Sequence, residues 1–79
     1  MSTSLQKKNQ KILSTISFYL RELRINLNLT QVEVSQETGL HRNTLGNIEN
    51  SKPCSIKSIL ILCDFYQISP AYLFSIIEE

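Results

Sequence analysis

Tryptophan is absent from this sequence, glycine, proline and cysteine occur only twice each, and His41 is the single histidine. Each shortage excludes something. Two cysteines and one histidine cannot assemble a four-ligand zinc site, and Cys54 and Cys63 form no C-x-x-C pair. Two isolated glycines leave no Gly-rich phosphate loop. The longest apolar run, Ile59 to Cys63, is five residues, far below the roughly 20 that cross a membrane. No Ser/His/Asp arrangement is present, and the adjacent carboxylates Glu78 and Glu79 close the chain rather than line a cleft, so an enzyme finds no parts here. With no secretory signal pattern, the cysteines read as reduced thiols in a cytoplasm, Cys63 as a small core residue. Neither a metal nor a cofactor is expected.

The 79 residues hold one small domain. A core of this size supplies roughly 3–5 kcal/mol, so with metal and disulfides excluded the remaining source of extra stability is dimerisation. Charge is unevenly spread. Residues 1–29 carry Lys7, Lys8, Lys11, Arg21 and Arg24 against Glu22, while residues 30–52 are net −1 and residues 53–79 net −2, for a total of +1. Bulk charge therefore does not announce a nucleic-acid binder.

The first eleven residues surround Leu5 with Ser, Thr, Gln, Asn and Lys, too little apolar surface to offset ordering, and predict a flexible arm ahead of a domain over 12–79. From Ile12 the positions Ile12, Ile16, Leu20, Leu23 and Leu27 recur at helical spacing and predict a helix to about Asn26, with Asn28 in a left-handed terminal conformation. Thr30-Gln31-Val32-Glu33 is a capping box that opens a second helix, which Gly39 stops. A third helix follows over about 42–50, with Leu45 and Ile48 inward, and Ser51-Lys52-Pro53 ends it. Ser55 caps a fourth, whose inward stripe is predicted as Ile56, Ile59, Leu60, Cys63 and Tyr66. Ser69-Pro70 opens a short fifth helix to about Ile77. Nothing alternates with period two, so the class is all-α.

Two helices joined by a short Gly-containing turn form a helix-turn-helix, whose second helix is presented to the major groove. Arg42, Asn43 and Asn47 group on one outward side of that helix, and their donor forks match base edges: Arg to guanine O6 and N7, an amide to adenine N6 and N7. For one Asn alone a solvated face is the better account; three together tip the balance toward reading bases.

The run from Leu29 to Pro53, with Thr30-Gln31, then Gly39, then Glu49-Asn50, resembles the Cro and lambda-repressor type, or XRE, helix-turn-helix family. The likeness covers roughly residues 12–76, with Ile56, Ile59, Ile68, Leu73 and Phe74 where that family keeps its core. Gly39-Leu40-His41-Arg42 is similar to the turn of controller proteins from restriction-modification systems. The resemblance implies a five-helix lambda-repressor-like fold and a homodimeric transcriptional regulator on a palindromic operator. It implies base reading by Arg42, Asn43 and Asn47, phosphate contacts by Gln31, Thr44, Asn50 and Lys52, and a structural ion pair between Arg24 and Glu49. Implied partners are double-stranded operator DNA, a second copy of the chain and RNA polymerase, with no membrane.

Several positions depart from that family. Gly46 lies inside the recognition helix at a cost of about 1 kcal/mol relative to Ala, and either admits close approach of DNA or is tolerated. His41 replaces the usual capping Ser or Thr and is predicted to cap poorly; a phosphate contact and a solvent-facing ring stand side by side. Thr38 replaces an aliphatic residue and Ser51 a glycine. Lys7, Lys8 and Lys11 form either a groove-reaching cluster or a solvated tail, the latter favoured. On the fourth and fifth helices Ile61, Phe65, Tyr72, Ile76 and Ile77 exceed the inward positions available, and are predicted to form a two-fold interface. Alternatives to the controller reading are a phage Cro-like repressor and an antitoxin-type interaction module with the same fold.

Overall fold

Five helices follow the chain's capping signals in a computed structural model that describes residues 3–76: α1 (Thr3–Asn26), α2 (Gln31–Thr38), α3 (Arg42–Glu49), α4 (Ile56–Tyr66) and α5 (Pro70–Ser75). Among the described residues there is no strand. α1 begins at Thr3 rather than near Ile12, so the helix runs through the expected boundary between arm and domain. The physical reason is that residues 3–11 contain neither Gly nor Pro, and extending an existing helix costs far less than nucleating one.

The starts of α2 to α5 are closed by side chains. Thr30 Oγ1 accepts from the Glu33 N–H at 3.1 Å and the Glu33 carboxylate accepts from the Thr30 N–H at 2.8 Å, completing the capping box. Ser55 and Ser69 accept from the N–H groups of Ser58 and Tyr72. His41, predicted to be a poor cap, accepts from the Asn43 N–H through Nδ1 at 3.0 Å.

Three helix ends adopt one geometry without glycine. Asn28, Ser51 and Gln67 each have φ near +60°. In each case the next residue's N–H reaches back five positions, Leu29 to the Arg24 carbonyl, Lys52 to that of Asn47 and Ile68 to that of Cys63. These are Schellman closures, which satisfy the last carbonyls of the helix and turn the chain sharply. Only at Gly39, with φ +80°, does a glycine occupy the left-handed region.

The core draws on every helix: Ile16 and Leu20 of α1, Val34 of α2, Leu45 and Ile48 of α3, Ile59, Leu62, Cys63 and Tyr66 of α4, and Leu73 of α5. Ile12, Leu23, Leu29, Ile68 and Phe74 pack around it, while Leu27, predicted inward, is exposed beyond the end of α1. α4 is rotated from the predicted stripe. Ile56 is 60% and Leu60 42% exposed, and Leu62 with Ser58 takes the inward places. Ile59 to Cys63 is apolar on all sides, so periodicity there cannot select a face; tertiary packing does. Ser58 is tolerated inside because its hydroxyl pairs with that of Ser55 at 3.0 Å.

Candidate nucleic-acid interface

Glu49, the last residue of α3, fixes how that helix sits. Its carboxylate accepts from Arg24 Nε at 2.8 Å and from a terminal guanidinium nitrogen at 3.0 Å, and from Gln31 Nε2 at 3.1 Å. The remaining fork of Arg24 donates to the Leu29 carbonyl at 2.7 Å. One buried carboxylate thereby joins α1, the start of α2 and the end of α3. The side chains of Arg24 and Glu49 are only 14% and 4% exposed. Hydrogen bonding to Glu49 pushes the Arg24 guanidinium above its ordinary value, outweighing the opposing effect of burial. The Ser17 hydroxyl of α1 donates to the Ile48 carbonyl, satisfying a second group at the end of α3.

The turn between α2 and α3 is also wired. Thr38 Oγ1 donates to the Val34 carbonyl at 2.7 Å and accepts from the Leu40 N–H at 3.2 Å, and the Ser35 hydroxyl donates to the Leu40 carbonyl at 2.6 Å. An aliphatic residue at 38 cannot make these bonds, so the departure noted at Thr38 has a structural use.

With Leu45, Ile48 and Glu49 buried, the opposite side of α3 carries Asn43 and Asn47, while Arg42, the first residue of the helix, lies at the edge of the buried side; all three are exposed. Among the described residues no hydrogen bond within the chain holds their side chains. Thr44 is half-buried and Lys52 exposed. Gln31 and Asn50 are partly committed: Gln31 to Glu49, and Asn50 Nδ2 to the Gly46 carbonyl at 2.8 Å. His41 is exposed, its Nδ1 turned to the Asn43 N–H.

The residues predicted for self-association lie elsewhere. Tyr72 is 52% exposed, its ring tilted against that of Tyr19 at a centroid distance of 6.1 Å. Phe65 and Ile76 pack partly against the core, and Ile61 is half-buried, so the surplus of apolar groups is smaller than their sequence positions predict. Ile77 lies outside the described residues. Sequence reasoning missed Phe18 and Ile25, both exposed and seven residues apart on α1; an apolar residue on an outward helical face has no local signature.

Among the described residues no group of acidic, His and Cys side chains is arranged to hold a metal, and no helix is long and apolar enough to cross a membrane. An open recess of about 320 Å³ between Ile12, Leu13 and Ile16 of α1 and Pro53 and Cys54 has Asn9 as its polar group, too few for a small-molecule site. Burial raises both thiols, Cys54 and Cys63, above their ordinary value, and both are free.

The family profile described as Helix-turn-helix matches residues 20–73. The chain belongs to the XRE-type helix-turn-helix family of DNA-binding regulators. Within it, the chain is similar to solved structures of the restriction-modification controller protein C.Esp1396I. A tetramer of that protein in complex with its natural 35 base-pair operator superposes with a TM-score of 0.70 at 27% identity, over 84% of this chain and 88% of that one. A single-substitution mutant of it gives 0.70, and the wild-type protein 0.69, at the same identity. No curated protein matches the chain significantly. The helix-turn-helix of the family corresponds here to α2 and α3, the two elements whose turn and ends are fixed by Ser35, Thr38 and Glu49.

Proposed function

We propose that the chain is a transcriptional regulator of the restriction-modification controller type, acting as a homodimer on a palindromic operator. The outer face of α3 carries this reading: three exposed side chains suited to base edges stand on a helix whose inner side is anchored to α1 and α2. In it, α3 enters the major groove, Arg42 donates to guanine O6 and N7, and the amides of Asn43 and Asn47 pair with adenine N6 and N7. Thr44 and Lys52 face phosphates, and Gln31 and Asn50 each turn their second amide N–H to a phosphate oxygen. The protein binds rather than catalyses, works in the cytoplasm, and meets RNA polymerase at its promoter.

Tyr72, together with Ile61, Phe65, Ile76 and Ile77, forms the two-fold contact that sets the two recognition helices about 34 Å apart. The operator-bound C.Esp1396I assembly supports a multimeric arrangement, since this chain overlaps nearly the whole of that one. Selection from a pool of random-sequence duplex DNA tests the proposal. The wild-type chain should enrich an inverted repeat with half-sites one helical turn apart; no enrichment would overturn it. A second reading, an antitoxin-type interaction module, is favoured by exposed Phe18 and Ile25 on α1, apolar surface that an α4–α5 dimer does not use. That reading is preferred if the chain enriches no sequence.

A further inference from the structure

Gly46 is a glycine the fold does not ask for. It lies inside α3, its φ is not left-handed, and a Cβ built on it meets no atom within 4 Å. Inside a helix, glycine sacrifices stability relative to alanine because the unfolded chain gains conformational freedom. Alanine therefore fits here and holds the helix better. The other glycine has a reason within the chain: Gly39 takes φ +80° to end α2.

Helical geometry places Gly46 beside Arg42 and Asn43 one turn back and Asn50 one turn ahead, on the flank of the face that carries Asn47. Its carbonyl already accepts from the Asn50 N–H at 3.0 Å and from Asn50 Nδ2 at 2.8 Å, and so offers nothing further to a base. What the position presents is shape: open space where any other residue would carry a Cβ, a notch one methyl deep relative to alanine on an otherwise polar surface. The apolar group that projects into the major groove at that scale is the C5 methyl of thymine.

We propose that Gly46 is a specificity-determining position, its missing side chain seating a thymine methyl in each half-site. This rests on the DNA-binding reading of α3 above. Arg42 and Asn43 supply hydrogen bonds to neighbouring bases while the notch distinguishes thymine by fit. Filling it separates stability from recognition, which a merely tolerated glycine would not do.

The test uses the full chain and the duplex that the wild-type protein enriches from a random pool. Gly46→Ala should raise the melting temperature by about 4–8 °C and weaken binding to that duplex by roughly tenfold. Each thymine of the site is then replaced singly by deoxyuridine, which lacks the methyl. At one thymine per half-site the wild-type chain should lose affinity by roughly threefold or more, and the Gly46→Ala chain should recover most of its loss. The inference is overturned if Gly46→Ala binds as tightly as wild type, if its loss is the same on every deoxyuridine duplex, or if it melts lower than wild type. If the wild-type chain enriches no sequence, the DNA-binding reading fails and takes this inference with it; enrichment together with a neutral Gly46→Ala refutes the inference alone.

Discussion

The α1–α2–α3 corner and the α4–α5 end of this molecule are held by different forces. At the corner, Glu49 collects three hydrogen bonds from two other segments, Ser17 closes the end of α3, and Ser35 and Thr38 wire the turn. Among the described residues, the side-chain hydrogen bonds of α4 and α5 stay within each helix and its cap. That end is secured by Ile59, Leu62, Cys63, Tyr66 and Leu73 and leaves Ile56, Leu60 and Tyr72 exposed. Hydrogen bonds are directional and fix an angle, whereas apolar contacts tolerate adjustment. The directional ties stand behind the helix whose side chains are proposed to meet base edges; the adaptable packing lies where a second copy is proposed to dock.

Breaking the corner should have the largest effect. Glu49→Ala strands Arg24 in a nearly dry site and should lower stability by roughly 3–5 kcal/mol, read by thermal or urea unfolding. A melt close to wild type would show that α3 is held by apolar packing alone.

Breaking the other end should cost self-association rather than folding. Tyr72→Asp, at a half-exposed position, should keep its helical fold while losing the stability that association adds, sediment as a monomer, and bind an inverted repeat roughly a hundredfold more weakly. A dimeric variant with full affinity would place the interface elsewhere.

Tyr66 sharpens the contrast, since it belongs to α4 yet lies near the Arg24–Glu49 pair. Burial first, and the Glu49 carboxylate second, push its hydroxyl up to about 12 from an ordinary 10.0, with Arg24 opposing. The folded chain therefore holds this proton more tightly than the unfolded chain. Its contribution is intact below pH 10 and is lost as pH rises from there through about 12, with roughly 1 kcal/mol gone by pH 11. Urea midpoints across that range should fall less steeply for Tyr66→Phe than for wild type; equal slopes would refute the assignment.

The smallest change should be a gain. Gln67 ends α4 at φ +62°, where a side chain is disfavoured, so Gln67→Gly should add roughly 0.5–1 kcal/mol without altering DNA binding. A destabilised variant would mean that the Gln67 side chain supports the turn in another way.

These ends also mark what the sequence makes legible. Thr30 with Glu33, Gly39, Ser55 and Ser69-Pro70 act through atoms three or four residues away, so five helices and the helix-turn-helix can be read locally. The outward placement of Asn43 and Asn47 follows from the inward Leu45 and Ile48, whereas Arg42 shares the side of Leu45 and Glu49 and is exposed at the first position of the helix. The rotation of α4 does not, because Leu60 and Leu62 are chemically equivalent and only the neighbours decide between them. Gln67 at a left-handed position is equally silent, since the Ile68 N–H bonding to the Cys63 carbonyl is a product of the folded turn. The imidazole cap at His41 escapes a rule built on hydroxyl and carboxylate oxygens, although Nδ1 reaches the same N–H.

The central claim, that a rigidly held α3 reads bases through its outer face, is tested most directly by Arg42→Ala set against Lys52→Ala on the enriched duplex and its single-base variants. Arg42→Ala should melt like wild type, lose roughly 1–3 kcal/mol of affinity and erase preference at one base pair per half-site, while Lys52→Ala weakens every variant alike. An Arg42→Ala protein that ranks the variants as the wild type does would contradict it.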